Sequence, residues 1–155
     1  MPITEILERN CKLYGDEVAL VELNPEVPDD RRTWKDYELI QPTASSCYRR
    51  EITWNVFNEK ANRFANMLLS RGIGKGDKVA ILLMNGIEWL PIYFGILKTG
   101  ALAVPMNFRF SSDEIEYCLN LSEANVLLFG PEFIGRVEEI ADRIMKGRLL
   151  FFVGD

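Results

Sequence analysis

The sequence predicts an α/β protein whose mainly parallel, doubly wound sheet carries helices on both faces. Two observations lead there. From residue 52 onward the pattern is regular: strand-length apolar runs alternate with stretches of helical periodicity, the order is β-α-β-α-β-α-β-α-β, and the connections are short. The stretch Lys78 to Met84 is apolar after its lysine and of strand length, which is the pattern of a strand covered on both faces. At 155 residues the chain suits a single domain. Such a domain buries about two-thirds of its unfolded surface and needs no metal or disulfide staple.

Each element has a local reason. Ile3, Ile6, Leu7, Cys11 and Tyr14 repeat at helical spacing up to Gly15-Asp16, so a short amphipathic helix opens the chain. Val18 to Leu23 reads as a strand. Residues 24 to 47 are irregular, with Pro25, Pro28 and Pro42, and form an insertion that holds a loop or a hairpin. Thr33 to Ile40 would give one strand of that hairpin and Tyr48 to Thr53 the other. Phe57, Ala61, Phe64, Ala65, Leu68 and Leu69 line one helix face that stops at Arg71-Gly72, where glycine tolerates a left-handed cap. Ile87 to Thr99 is helical and apolar nearly all round, hence buried, with Pro91 removing one backbone bond near its start. Ala101 to Pro105 is a short strand, and Ser111 to Glu114 is a capping box for the helix that carries Ile115, Cys118 and Leu119. Asn125 to Phe129 is again a strand. Pro131 sits at a helix start before Phe133, Val137, Ile140, Ala141 and Ile144, and Leu149 to Val153 gives the last strand.

Composition narrows the chemistry. With no histidine, no residue of this chain acts as an imidazole base or an imidazole metal ligand. The net charge of −5 removes the general attraction of a basic domain for nucleic acid, which is therefore not an expected partner. Cys11, Cys47 and Cys118 are odd in number and form no CxxC pair, which speaks against a disulfide framework or zinc knuckle and for a reducing, cytoplasmic setting. The most apolar stretch, Trp89 to Met106, is broken by Pro91, Lys98, Gly100 and Pro105, so no transmembrane segment or leader is expected.

Gly72 to Lys78 superficially looks like a phosphate loop, but it leaves a helix and enters a strand, so a structural turn is expected. Three loops have the strand-to-helix sense that turns free amides toward an anion: Asn85-Gly86, Asn107 to Ser112 and Gly130-Pro131. Exposed helix starts favour an anion by about 0.3–1 kcal/mol, enough to assist a ligand without defining one. Arg109 and Arg136 stand near two of these loops and read either as a phosphate grip or as solvated surface arginines. Trp54, Phe57, Phe64, Trp89, Tyr93 and Phe94 at helical spacing read as core. The neighbouring carboxylates Asp29-Asp30, Asp113-Glu114 and Glu138-Glu139 diverge or lie in loops and form no acid/base pair. The residues by themselves therefore give no catalytic group and no metal site.

Residues 50 to 130 nonetheless resemble the opening of the AMP-forming acyl-CoA synthetases, the superfamily that includes adenylation domains and firefly-type luciferases. Arg50 to Phe57 with Ala61-Asn62-Arg63 looks like the first core motif, Gly72 to Ile81 like the turn and strand that follow it, and Leu97 to Asn107 like the second core motif. Asn107 stands where peptide-synthetase adenylation domains usually have Asp, which favours the acyl-CoA branch. The insertion before residue 48 departs from the compact form common in the family.

The resemblance implies an N-terminal subdomain, residues 1 to 155, of an acid-CoA ligase. The parent would couple a fatty or aryl carboxylic acid to ATP, with Mg2+, and pass the acyl group from acyl-AMP to CoA. The family's phosphate loop, ribose and magnesium contacts and catalytic lysine lie downstream of the matched stretch, so this chain is expected to be a non-catalytic scaffold with no tightly bound cofactor and the rest of the enzyme as its partner. By the same resemblance Arg109 and Arg136 are phosphate contacts of CoA and Phe108 a neighbour of its adenine. The alternative is a free-standing interaction or oligomerisation module of this fold. In either case apolar surface left uncovered would favour a homo-oligomer.

Overall fold

The computed structural model describes residues 2–23 and 49–154. Its first helix, α1 (Ile3–Tyr14), is followed by strand β1 (Val18–Leu23). Strand β2 (Arg49–Thr53) pairs with β1 antiparallel, with Val21 opposite Glu51 and Glu22 opposite Arg50. This departs from the expectation that the strand ending at Thr53 opens the parallel series; the expected hairpin pairs it with residues 33 to 40. Those last residues lie outside the described ones. The physical reason is composition. The segment Arg-Arg-Glu-Ile-Thr is too charged to be covered on both faces, as a strand inside a parallel sheet must be.

Thr53 then caps helix α2 (Trp54–Ser70), its hydroxyl accepting a hydrogen bond from Val56 N at 3.3 Å. The helix stops as the sequence predicts. Ile73 N donates back to Leu68 O at 3.0 Å across Gly72, whose φ of +77° suits glycine. The turn through Gly76 (φ +96°) is fastened by Asp77, whose Oδ2 accepts from Gly74 N at 2.8 Å. Gly72 to Lys78 is thus a structural turn at the amino end of the next strand.

The parallel sheet consists of β3 (Lys78–Leu82), β4 (Leu102–Pro105), β5 (Val126–Phe129) and β6 (Leu149–Phe152) in the order β4-β3-β5-β6. Ala80 is flanked by Val104 on one side and Leu127 on the other. Side chains alternate across the sheet, so its two faces build two cores. Val79, Ile81, Val126 and Leu128 pack against Leu68 of α2 and against Ile92 and Ile96 of α3 (Trp89–Lys98). Ala80, Leu82 and Leu127 pack against Ile115 and Leu119 of α4 (Ser112–Ser122) and against Val137, Ile140 and Ile144 of α5 (Ile134–Ile144). The doubly wound fold predicted from the sequence is the one observed.

Helices α2 and α3 are covered a second time, on their outer side. Leu7, Phe57 and Ala61 form a third buried cluster with Cys11, Ala19, Leu20, Ile52 and Phe94, which seats α1 and the β1-β2 hairpin there. The aromatics are core, as expected: the Phe57 and Phe94 rings meet edge to face at 5.3 Å. Cys11 Sγ donates to Trp54 O at 3.1 Å, and burial pushes its thiol up despite the opposing charge of Lys98. Gly95 lets α2 and α3 close up, since a Cβ there would lie 2.8 Å from Phe64 Cδ1 and 2.9 Å from Ala61 O. Pro91 is the third residue of α3, where the N–H has no intrahelical partner, so the expected loss of a backbone bond does not occur. Among the described residues no helix is long and apolar enough to cross a membrane.

Candidate functional site: a crevice at the carboxyl end of the sheet

In the sheet order, β3 leads through α3 to β4 on one side, while β5 leads through α5 to β6 on the other. The loops after β3 and β5 therefore diverge to opposite faces, and the gap between them is where open α/β sheets admit ligands. A crevice of about 200 Å³ opens there. Two of the three loops singled out by their strand-to-helix sense line it, Asn85-Gly86 and Gly130-Pro131. The helical segments behind them begin without a side-chain cap, and their first turns close on the loops themselves: Trp89 N donates to Gly86 O and Phe133 N to Gly130 O, both at 3.1 Å.

The floor is apolar, formed by Leu83, Ile87, Trp89 and Val153. The rim is acidic, with Glu22, Glu88 and Glu132 against one cation, Arg50. Glu88 is paired with Lys60 at 2.7 Å. Arg50 Nη2 lies 2.5 Å from Glu22 Oε2, an oxygen shielded from solvent that no well-aligned hydrogen bond satisfies among the described residues. Glu22 also faces Gly86, where a Cβ would approach Glu22 Oε1 to 2.9 Å. Sequence reasoning missed Glu22 and its crevice role for Arg50. Both reach the site only because the hairpin folds over the end of β3, and nothing local in their sequence announces that. Two of the three rim carboxylates are thus ion-paired, which leaves the rim only weakly acidic.

The predicted site residues stand at the neighbouring corner, where β4 passes into α4, and none of the three lines the crevice. Phe108 is 45% exposed, with the Arg109 guanidinium 5.3 Å from the centre of its ring. Arg109 N donates to Asn107 Oδ1 at 2.9 Å. Arg136, in the first turn of α5, comes to the same corner: its Nη1 donates to Phe108 O at 2.7 Å and to Phe110 O at 3.1 Å. The fold thus brings Arg136 to Phe108 and Arg109 although it lies 28 positions after Phe108. The α4 start is tied off by the predicted capping box, with Ser111 N donating to Glu114 Oε2 at 2.8 Å and Glu114 N to Ser111 Oγ at 3.4 Å. The bond from Ser111 N and, secondarily, the Ser111 hydroxyl hold the Glu114 carboxyl below the usual carboxylate range. Among the described residues, no group of three His, Cys, Asp or Glu side chains could hold a metal ion.

Comparison with known proteins agrees with this architecture. The chain is 35% identical over 109 residues to a medium/long-chain-fatty-acid--CoA/3-oxocholest-4-en-26-oate--CoA ligase of Mycobacterium marinum, covering 70% of this chain and 20% of that protein. It is 32% identical over 117 residues to a 3-hydroxybenzoate--CoA/4-hydroxybenzoate--CoA ligase of Thauera aromatica, covering 76% and 22%. The chain therefore spans about a fifth of the length of these curated relatives. Among solved structures, the anthranilate CoA ligase AuaEII in complex with anthranoyl-AMP superposes with a TM-score of 0.77 at 27% identity, over 99% of this chain and 26% of that one. The N-terminal domain of FACL13 from Mycobacterium tuberculosis shares the fold, with a TM-score of 0.76 at 24% identity over 99% of this chain and 34% of that one. The model of one family, described as AMP-binding enzyme, matches residues 7–149, and the chain belongs to that family.

Proposed function

We propose that this chain forms an N-terminal wall of an AMP-forming carboxylate-CoA ligase, acting on a fatty or aryl acid in the cytoplasm. One observation carries the reading: the family match runs from within α1 to the first residue of β6, and that unit gathers its strand-to-helix loops at one end. In the reaction a carboxylate oxygen attacks the α-phosphorus of ATP and expels pyrophosphate. The CoA thiol then attacks the acyl carbonyl of acyl-AMP, and AMP leaves. The crevice, apolar at its floor, fits the uncharged stretch of a bound substrate, while the Phe108-Arg109 corner fits a base and its phosphate. Mg2+ and the groups that hold the triphosphate belong, on this reading, to the larger part of such an enzyme. No side chain described here is needed to move a proton in either step. Without that larger part, the apolar edge strand β6 favours self-association.

The test is direct. The purified 155-residue chain, given ATP, Mg2+ and a fatty or aryl acid, is expected to make no acyl-AMP and to catalyse no pyrophosphate exchange. The complete reading frame that contains it is expected to do both. Acyl-adenylate from the isolated chain would overturn the scaffold role. A complete reading frame inert toward acids of both classes would overturn the ligase.

A further inference from the structure

The loop from Met106 to Ser111 has a structural problem. It leaves β4, an edge strand with only β3 beside it, so one flank has no neighbour in the sheet. It also presents the half-exposed ring of Phe108 and the exposed Arg109 to solvent. Its internal fastenings are few: Phe110 N donates to Asn107 O at 3.1 Å and Arg109 N to Asn107 Oδ1 at 2.9 Å. The loop ends are held, since Met106 N donates to Ile81 O at 2.9 Å, Met106 and Phe110 pack against the core and Ser111 sits in the capping box, but between them the exposed Phe108-Arg109 pair has few restraints of its own.

Arg136 supplies what is missing. It arrives from α5, which follows β5, and β5 is separated from β4 by β3 in the sheet. Its Nη1 places both hydrogens on loop carbonyls, Phe108 O and Phe110 O, which bracket Arg109. Its guanidinium lies 5.5 Å from the centre of the Phe133 ring, and Phe133 is fully buried in the core under α5. The side chain is thus anchored at the core end and bonded at the loop end. Hydrogen bonds from a charged donor to carbonyls are roughly twice as strong as neutral ones, and a planar guanidinium fixes their direction. Arg109 has the opposite character: its guanidinium makes no hydrogen bond to the described residues and rests only on Phe108.

We infer that Arg136 is a positioning residue, which clamps the β4-α4 loop to the start of α5 and so fixes the Phe108 ring and the Arg109 guanidinium as one platform. The ligand assigned to that platform, the adenine and phosphate end of CoA, rests on the proposed ligase function. The clamp itself does not. The two arginines, read alike from the sequence, divide the work: Arg109 meets the anion, and Arg136 holds the loop that carries it.

The experiment uses the full chain, isotope-labelled, as wild type and as R136A, R136K and R109Q. Amide exchange is read first. In R136A the amides of Arg109 and Phe110 are expected to exchange about ten-fold faster while those of β3 and β5 keep their protection, and R136K, which retains a cationic donor, recovers most of the loss. Unchanged Arg109 and Phe110 amides in R136A would overturn the clamp. An equal loss across β3 and β5 would also overturn it, by making Arg136 a general stability residue. Where R136A does not fold, R136K against wild type gives the same reading with a smaller ratio.

CoA and dephospho-CoA are then titrated at two salt concentrations, which tests the ligand separately. R109Q is expected to weaken CoA binding and flatten its salt dependence, whereas R136A weakens binding and leaves the salt dependence in place. Equal flattening by R136A would show direct phosphate contact and overturn the positioning role. If the wild-type chain binds neither compound, the CoA assignment fails, and the exchange result alone upholds or overturns the clamp.

Discussion

Arg148 lies in the connection between α5 and β6, yet its guanidinium ends two helices. Nη2 donates to Leu119 O at 3.3 Å and to Asn120 Oδ1 at 2.8 Å near the end of α4, Nη1 to Ile144 O at 3.3 Å at the end of α5, and Nε to Ala124 O at 2.9 Å. The last carbonyls of any helix lack intrahelical donors, so one cation here satisfies acceptors from two helices and the loop between. Removing it takes this donor from Ala124 O and Ile144 O, while Leu119 O still accepts from Ala124 N, at a cost of about 1–3 kcal/mol. R148A should therefore lower the urea midpoint with an unchanged slope, and R148K should fall between it and wild type. A midpoint for R148A equal to wild type would show that water replaces the side chain at no cost. Nothing in the sequence marks this residue, because three of its four acceptors are main-chain oxygens and three of the four lie 24 to 29 positions away. Arg136 is marked in the sequence only as a phosphate contact, and its bonds to the loop are not legible there because its acceptors are carbonyls that any residue would provide.

At the scale of elements, the start of α4 shows how a local device acquires a pH dependence. Glu114 is ionised at neutral pH and accepts from Ser111 N, and its carboxyl is held below the usual range first by that backbone bond. A folded-state value below the unfolded one means that the contribution is fully present above the unfolded value and is lost as pH falls through the folded one. Acidification through the carboxylate range should therefore loosen the first turn of α4 while its later turns persist. E114Q keeps an oxygen acceptor and should abolish the effect. Exchange at Ser111 N followed against pH in both proteins is the measurement, and an E114Q profile with the same acid limb would refute the assignment. The box was legible because all its atoms lie within four consecutive residues, as was the end of α2 at Gly72. The partner of β2 was not legible, since pairing is decided by β1 on the far side of residues 24–48. Nor was the true start of α3 at Trp89 rather than Ile87, because Trp89 N donates to Gly86 O and turns the chain first.

In the whole molecule, layers share helices unequally. Helices α2 and α3 give one side to the sheet, through a cluster that includes Leu68, Ile92 and Ile96, and the other to α1 and the hairpin, through a much smaller one centred on Leu7, Phe57 and Ala61. The outer layer therefore has less buried apolar surface to hold it, and it should open before the sheet does. It also carries Glu22 and Arg50, which wall one side of the crevice. Stability of the outer layer and closure of the crevice are thereby the same physical event. Leu7 is 1% exposed and is the residue of α1 in the core, so L7A should cost that layer about 2–5 kcal/mol, the range for a cavity left by a buried leucine. The consequence is specific. Amides of α1, β1 and β2 should lose protection by orders of magnitude, Arg50 should part from Glu22, and Val79 to Leu82 and Val126 to Phe129 should exchange as in wild type. Uniform loss of protection across β3 and β5 would instead mean that the chain unfolds as a single unit, with the hairpin an inseparable part of the sheet's own core.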